Sequence, residues 1–197
     1  MSHVSRSGDI VKIAEDFRRG DHAAVAELHR LYGHRLRAFL QSFVVATDLA
    51  EDLTQDVMVR AYIKRSTLKD PAKIEAWLFA MARNLALREM QRKRHRSERS
   101  AEPEEIARRA GSDPTQSPGR KTQEEQAAVI LRDALASLDD KKRTLMALRY
   151  YSELSHKEIA EMMEMPIGSV GTTIKRSLES MRKHLESKGL GPEDLIP

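Results

Sequence analysis

The sequence predicts an all-α protein: two small helical domains joined by a flexible linker, the C-terminal one a helix-turn-helix. Three observations lead there. Apolar residues recur every three or four positions in several stretches, the period of a helix with one buried face. Charged residues make up 32% of the 197 residues and aromatics only 5%, which suits helices around small cores better than packed sheets. Residues 97–121 hold three of the seven prolines with no apolar period, and read as a spacer between two blocks. The expected boundaries are 1–96, 97–121, 122–187 and a short tail, 188–197.

In the first block, Val25, Leu28, Tyr32, Leu36, Phe39 and Phe43 form the inner stripe of one helix, and Gly33 weakens it without ending it. A second helix is expected to open at Asp48, with Glu51 as its capping-box partner and Leu49, Leu53, Val57 and Ala61 inside. Asp70-Pro71, a cap followed by proline, announces a third, with Ile74, Trp77, Leu78, Met81 and Leu85 inside. Trp77, the only tryptophan, is read as core. The block is three or four helices, starting near residue 9.

In the second block, Ala128, Leu131, Leu135 and Leu138 mark one helix. Asp139 can cap the next, with Leu145 and Leu148 inside. Ser155 and Glu158 form a capping box for a short helix bearing Ile159, Ala160 and Met163. Met165-Pro166-Ile167-Gly168 is a break, followed by a helix with Val170, Ile174, Leu178, Met181 and Leu185 inside. A short capped helix, a break and a longer helix make a helix-turn-helix, whose second helix offers its outer face to the major groove. That face holds Ser169, Gly171, Thr172, Thr173, Lys175 and Arg176, hydroxyls and cations suited to bases and phosphates. Ser155 and Lys157 are placed to hold phosphates at the start of the bracing helix.

The net charge of +4 is concentrated. Arg88 to Arg99 carries six Arg or Lys against two Glu, so the rest of the chain sums to zero. Such a basic helix end suits phosphates through counterion release, though it also fits a solvated helix end. Thr47 to Val59 is the opposite, with Asp48, Glu51, Asp52 and Asp56 and no cation. Asp52, Gln55 and Asp56 share one face, which repels nucleic acid and suits either solvent or a basic protein surface.

Other classes are excluded. Without cysteine there is no disulfide, thiolate metal site or thiol nucleophile. The seven histidines show no H-E-x-x-H spacing, and there is no P-loop or G-x-S-x-G, so no enzyme, metal or cofactor is expected. No apolar run nears the ~18–20 residues of a membrane span, and Met1 to Asp21 lacks a signal core. A soluble, cytoplasmic protein without membrane insertion is expected.

The runs DLAEDLTQDVMVRAY (48–62), IEAWLFAMARNLALREMQRKRHR (74–96) and LSHKEIAEMMEMPIGSVGTTIKRSLESMRKHL (154–185), in that order, resemble the extracytoplasmic-function (ECF) sigma factors of the sigma-70 family. The resemblance implies a subunit that binds core RNA polymerase and directs promoter-specific initiation without a catalytic site of its own. The first block would be the region 2 domain, for the −10 element, and the second the region 4 domain, for the −35 element. Asp52, Gln55 and Asp56 would dock on the β′ coiled coil, and the second domain would meet the β flap. The loop Lys64 to Asp70 would pocket a base flipped from the −10 strand, with Leu68 as its bulky residue and Lys64 and Lys69 beside it. Asn84, Arg88 and Arg92 would hold the same strand. The −35 contacts would come from Ser155, Lys157, Ser169, Thr172, Thr173, Lys175 and Arg176. Gly171 and Thr173 stand where many members have cations, so Arg176 matches best. An anti-sigma factor is an implied partner. The rival reading is a stand-alone helix-turn-helix regulator that binds without polymerase.

Overall fold

The computed structural model describes residues 3–44, 46–99 and 123–191. Among them every regular element is helical. Most of the expected spacer, from residue 100, and the end of the tail, from residue 192, lie outside the described residues. Residues 97–99, assigned to the spacer, continue the preceding helix.

Helix α1 (His3–Arg19) comes first and is not among the sequence expectations. Its signal is present but short: Ile10, Ile13, Ala14 and Phe17 fall at helical spacing, and Ala14 and Phe17 are fully buried. The helix ends in a Schellman motif, with Gly20 N–H donating to Phe17 O (2.9 Å) and Asp21 N–H to Asp16 O (3.1 Å). Gly20 sits at φ +94°, a conformation that only glycine adopts cheaply.

Asp21 then caps α2 (His22–Gln41) by accepting from Ala23 N–H (2.8 Å). The expected stripe is inside: Leu28, Leu36 and Phe39 are fully buried, and Tyr32 and Phe43 nearly so. Helix α3 (Thr47–Ile63) starts one residue before Asp48, and its N-cap, Ala46, has no side-chain bond. The expected Asp48–Glu51 box is therefore absent. Asp48 lies in the first turn instead, where it complements the helix dipole.

Two single 3-10 turns, Arg65–Thr67 and Pro71–Lys73, lead into α4 (Ile74–Arg99). Asp70 caps the second by accepting from Ala72 N–H (3.0 Å), as Asp70-Pro71 predicts. Ile74 and Leu78 are fully buried, and Phe79 meets Phe39 edge-on at 5.5 Å. Trp77 packs at the core margin, 6.3 Å from Phe17.

The second block holds α5 (Gln123–Ala136), α6 (Asp140–Tyr151), α7 (His156–Met162) and α8 (Ile167–Ser187). Asp139 caps α6 through Lys142 N–H (2.8 Å). The α7 capping box is complete, with both reciprocal bonds formed. Two inner stripes are rotated from expectation. On α5, Ala128 and Leu131 face outward, while Ala134 joins Leu135 and Leu138 inside. On α8, Leu178 is exposed and Ser177 is buried in its place, its hydroxyl donating to Thr173 O (2.8 Å). Adjacent residues lie 100° apart, so spacing alone leaves the burial boundary uncertain by one position.

The two blocks also touch. Leu145, Leu148, Leu154 and Ile159 belong to the same continuous apolar cluster as Leu36, Phe39 and Leu78. A second, smaller cluster of Leu135, Leu138, Met146, Met181 and Leu185 closes the far side of the C-terminal block. Phe39→Ala should cost about 3–5 kcal/mol of stability, because it empties a fully enclosed site between two other rings. Chemical denaturation checks this.

Candidate nucleic-acid interface and the acidic face beside it

The turn between α7 and α8 runs through Glu164 at φ +51°. Glu164 N–H donates to Glu161 O (3.3 Å) and Met165 N–H to Ala160 O (3.0 Å), which closes α7 and turns the chain sharply. The break thus falls at residues 163–166; Ile167 and Gly168, expected in it, already belong to α8. Val170, fully buried, anchors the start of α8 against α7. The opposite side of α8 then faces solvent: Gly171, Thr172, Lys175 and Arg176 are exposed, and Ser169 and Thr173 half-buried. Lys175 and Arg176 pair with no described residue. Lys157 is exposed nearby. Ser155 is exposed too, but its hydroxyl is committed to the capping box, donating to Glu158 Oε2 at 2.7 Å.

On α4, Asn84, Arg88 and Arg92 are exposed at intervals of four and so form one stripe. Arg83 beside them has a buried Nε without a hydrogen-bond partner among the described residues. The basic end of α4 is not all available: Arg92 lies 3.5 Å from Glu89, and Arg94 pairs with Asp140 of α6. In the loop before α4, Lys64 and Lys69 point to solvent. Leu68 does not. It is 2% exposed and packs into the core, because a lone Leu in a polar loop gains more from burial than from solvent. It is no bulky base-facing residue in this conformation.

On α3, Asp52 and Gln55 are exposed. Asp56 is half-buried and accepts from Arg60 Nε (2.9 Å), a partner one turn beyond the cation-free run. Beside this face an open cleft of about 310 Å³ separates α2 from α3. Its walls bring His29, His34 and Arg37 opposite Glu51 and Gln55, a basic border that the α3 sequence does not foretell.

Between the blocks sits a polar joint. Arg35 on α2 donates from Nε to Tyr151 O (3.1 Å), pairs with Glu75 of α4, and lies 3.5 Å from Glu153. Glu75 also accepts from Glu153 N–H at 2.6 Å. Burial raises the Glu75 pKa above the usual carboxyl range, against the pull of the Glu153 amide and Arg35. Burial, then the charge of Glu75, pushes Tyr32 up to about 12.

Two family descriptions match the chain, Sigma-70 region 2 over residues 28–96 and Sigma-70, region 4 over residues 128–181. The ECF RNA polymerase sigma factor RpoE of Cereibacter sphaeroides is 30% identical over 84% of this chain and 88% of that protein. The chain belongs to the sigma-70 family, as an ECF sigma factor. SigW, an ECF RNA polymerase sigma factor of Bacillus subtilis, is 29% identical over 89% of this chain and 96% of its own length. Among solved structures, CnrH in complex with the cytosolic domain of CnrY shares the fold, with TM-score 0.66 and 19% identity over 90% of this chain and 97% of that one. RpoE of Bartonella quintana, bound to the anti-sigma factor NepR, has TM-score 0.57 and 25% identity over 82% and 95%. In this sigma factor region 2 is built by α2 to α4 and region 4 by α5 to α8. No helix among the described residues is long and apolar enough to cross a membrane.

The joint between the two regions should respond to pH. Arg35→Ala leaves Glu75 facing only the amide and carboxylate of Glu153, so its folded pKa rises further above the unfolded value. The loss of stability should be largest at neutral pH, about 2 kcal/mol, and should shrink as pH falls through that raised value and the carboxyl gains a proton. Urea unfolding at pH 7 and pH 5 checks the sign.

Proposed function

We propose that this sigma factor is a dissociable initiation subunit that docks on core RNA polymerase through α3 and contacts promoter DNA at two places. The carrying observation is the braced α8, whose exposed Thr172, Lys175 and Arg176 pair with no described residue, in the same chain as an acidic helix. A cationic face without internal partners is suited to phosphates and base edges in a duplex groove. Ser169 and Thr173 flank it, and Lys157 adds a phosphate contact. Ser155 contributes as the cap that orders α7, rather than through a free hydroxyl.

Region 2 takes the −10 strand. Asn84, Arg88 and Arg92 follow its backbone, and Lys64 and Lys69 flank the loop that receives an unstacked base. Unstacking costs a few kcal/mol, and one base contact returns ~1–3, so several contacts and docking on polymerase must act together. Asp52 and Gln55, with Asp56 steered by Arg60, meet the β′ coiled coil, and region 4 meets the β flap. Polymerase supplies the chemistry; the sigma factor needs no catalytic group and no cofactor.

The packed domains bear on this mechanism. The −35 and −10 elements lie about 25 base pairs apart, roughly 85 Å of duplex at 3.4 Å per pair. A compact chain of this size has a radius of gyration of only about 16 Å. Both elements are therefore reached only after the Arg35–Glu75–Glu153 joint opens, and docking on polymerase supplies the energy. An anti-sigma factor that holds the joint closed would silence the protein, consistent with the partnered forms of similar sigma factors. The site of action is the cytoplasm.

Run-off transcription with core polymerase tests the reading: transcripts should require the protein, and tight binding to a palindrome without polymerase would favour the stand-alone regulator instead. Asp52→Lys should abolish co-purification with core polymerase while leaving the helical circular dichroism intact. Arg176→Ala should lower −35-dependent transcription roughly tenfold, within the ~1–3 kcal/mol of one good base contact. An unchanged footprint would remove Arg176 from the interface.

A further inference from the structure

We infer that Arg65 is the positioning residue of the −10 loop, and that the α1–α2 corner is the seat into which it locks. The inference rests on the reading of residues 64–70 as the base-receiving loop. Arg65 opens the first 3-10 turn, directly after α3. Its guanidinium lies over the Tyr62 ring at 4.6 Å, and Nη1 donates to Tyr62 O at 2.9 Å. The guanidinium also lies close to Gly20: a Cβ there would come within 3.2 Å of Arg65 Nε. Gly20 is favoured by its positive φ, and a side chain there would crowd the Arg65 guanidinium. The Tyr62 ring also meets that of His22, 5.5 Å away, so both sides of the corner clasp the Tyr62–Arg65 pair.

The rest of the loop is pinned to match. Lys64 O accepts from Thr67 N–H and from Thr67 Oγ1, both at 2.8 Å. Leu68 is held in the core. At the far end, Arg18, on the last turn of α1, donates to Lys69 O at 3.4 Å. The fixed backbone turns Lys64, Ser66 and Lys69 outward. An isolated unstacked base is discriminated only by groups whose positions are set before it arrives, since ordering a loose loop on binding consumes the difference between right and wrong bases. Arg65 lies over Tyr62, donates to its carbonyl and sits close to Gly20, which suits a brace better than a phosphate contact. Helix α1 then serves base selection without touching DNA.

The test uses full-length protein with core polymerase on a preferred promoter and on single-base −10 variants. Arg65→Ala should reduce the preference for the correct −10 base about tenfold, with polymerase affinity and the −35 footprint retained. Arg65→Lys should not restore it, because an ammonium lacks the planar face that lies over the Tyr62 ring while Nη1 bonds Tyr62 O. Arg18→Ala, an exposed change that leaves the core intact, should lower the preference two- to threefold in the same direction, and keeps the inference testable if Arg65→Ala folds poorly. A uniform loss over all promoters, rescued by Lys and accompanied by a salt slope smaller by about one, would make Arg65 a phosphate contact and overturn the inference. Unchanged selectivity in Arg65→Ala and Arg18→Ala, while Lys64→Ala with Ser66→Ala alters base preference, would sink the lock alone. If that Lys64 and Ser66 variant leaves −10 preference as it was, the reading of the loop fails instead.

Discussion

The burial of one face of α2 is the constraint on which the other elements depend. Leu28, Tyr32, Leu36, Phe39 and Leu40 give that helix an apolar stripe too wide for any single neighbour to cover. Helices α1, α3 and α4 pack round it, and α6 of the C-terminal block meets it as well. Each fully buried Leu or Phe removes about 1.5–3 kcal/mol of unfavourable hydration, and the stripe holds several of them. The orientations of α3 and α4 around that stripe turn Asp52 to solvent on one side and the Asn84–Arg88–Arg92 stripe to solvent along α4. One packing decision thereby presents two charged faces of opposite sign.

Which charged groups stay available depends on internal pairing. Lys175 and Arg176 on α8 have no described partner, whereas cations with structural duties are engaged: Arg35 at the joint, Arg60 with Asp56, Arg94 with Asp140. Exposed pairs such as Arg60–Asp56 add little stability, but they change which side chains are offered to a partner. The +4 concentrated at the end of α4 is in this sense partly spent inside the molecule. The buried joint differs from the surface pairs. Glu75 loses hydration there; Arg35 of its own block compensates part of that, and the Glu153 amide adds to it only while the two blocks stay together. Such a contact is well suited to come apart when a stronger surface competes for either block.

Much of this architecture is legible in the residue order, and the misses have physical reasons. Asp139 and the Ser155–Glu158 box cap the helices they announce, and Asp70 caps the 3-10 turn that leads into its helix, because capping bonds span two or three residues and need no distant partner. Asp48 fails as a cap because α3 begins a residue earlier, with Ala46 at the N-cap position. Helix α1 escapes notice because its stripe spans barely two turns and gains its value only against Trp77 and α2. Leu68 reads as a loop residue by position but behaves as core by burial, which depends on elements far away in sequence. The three ordered motifs carry the family, while the exposure of each candidate side chain is settled by packing.

Residue order by itself determined what is local: helical periods, caps, the helix-turn-helix break, and the separation of a basic helix end from an acidic face. Tertiary structure alone decided which of those groups remain available. It buried Leu68, committed Ser155 to its cap, rotated Leu178 outward, tied Arg94 to Asp140 and brought Arg65 against Gly20. The reason is the range of the forces involved. Periodicity and capping act within a turn or two of helix, whereas exposure is the outcome of every apolar surface in the chain competing for the same core.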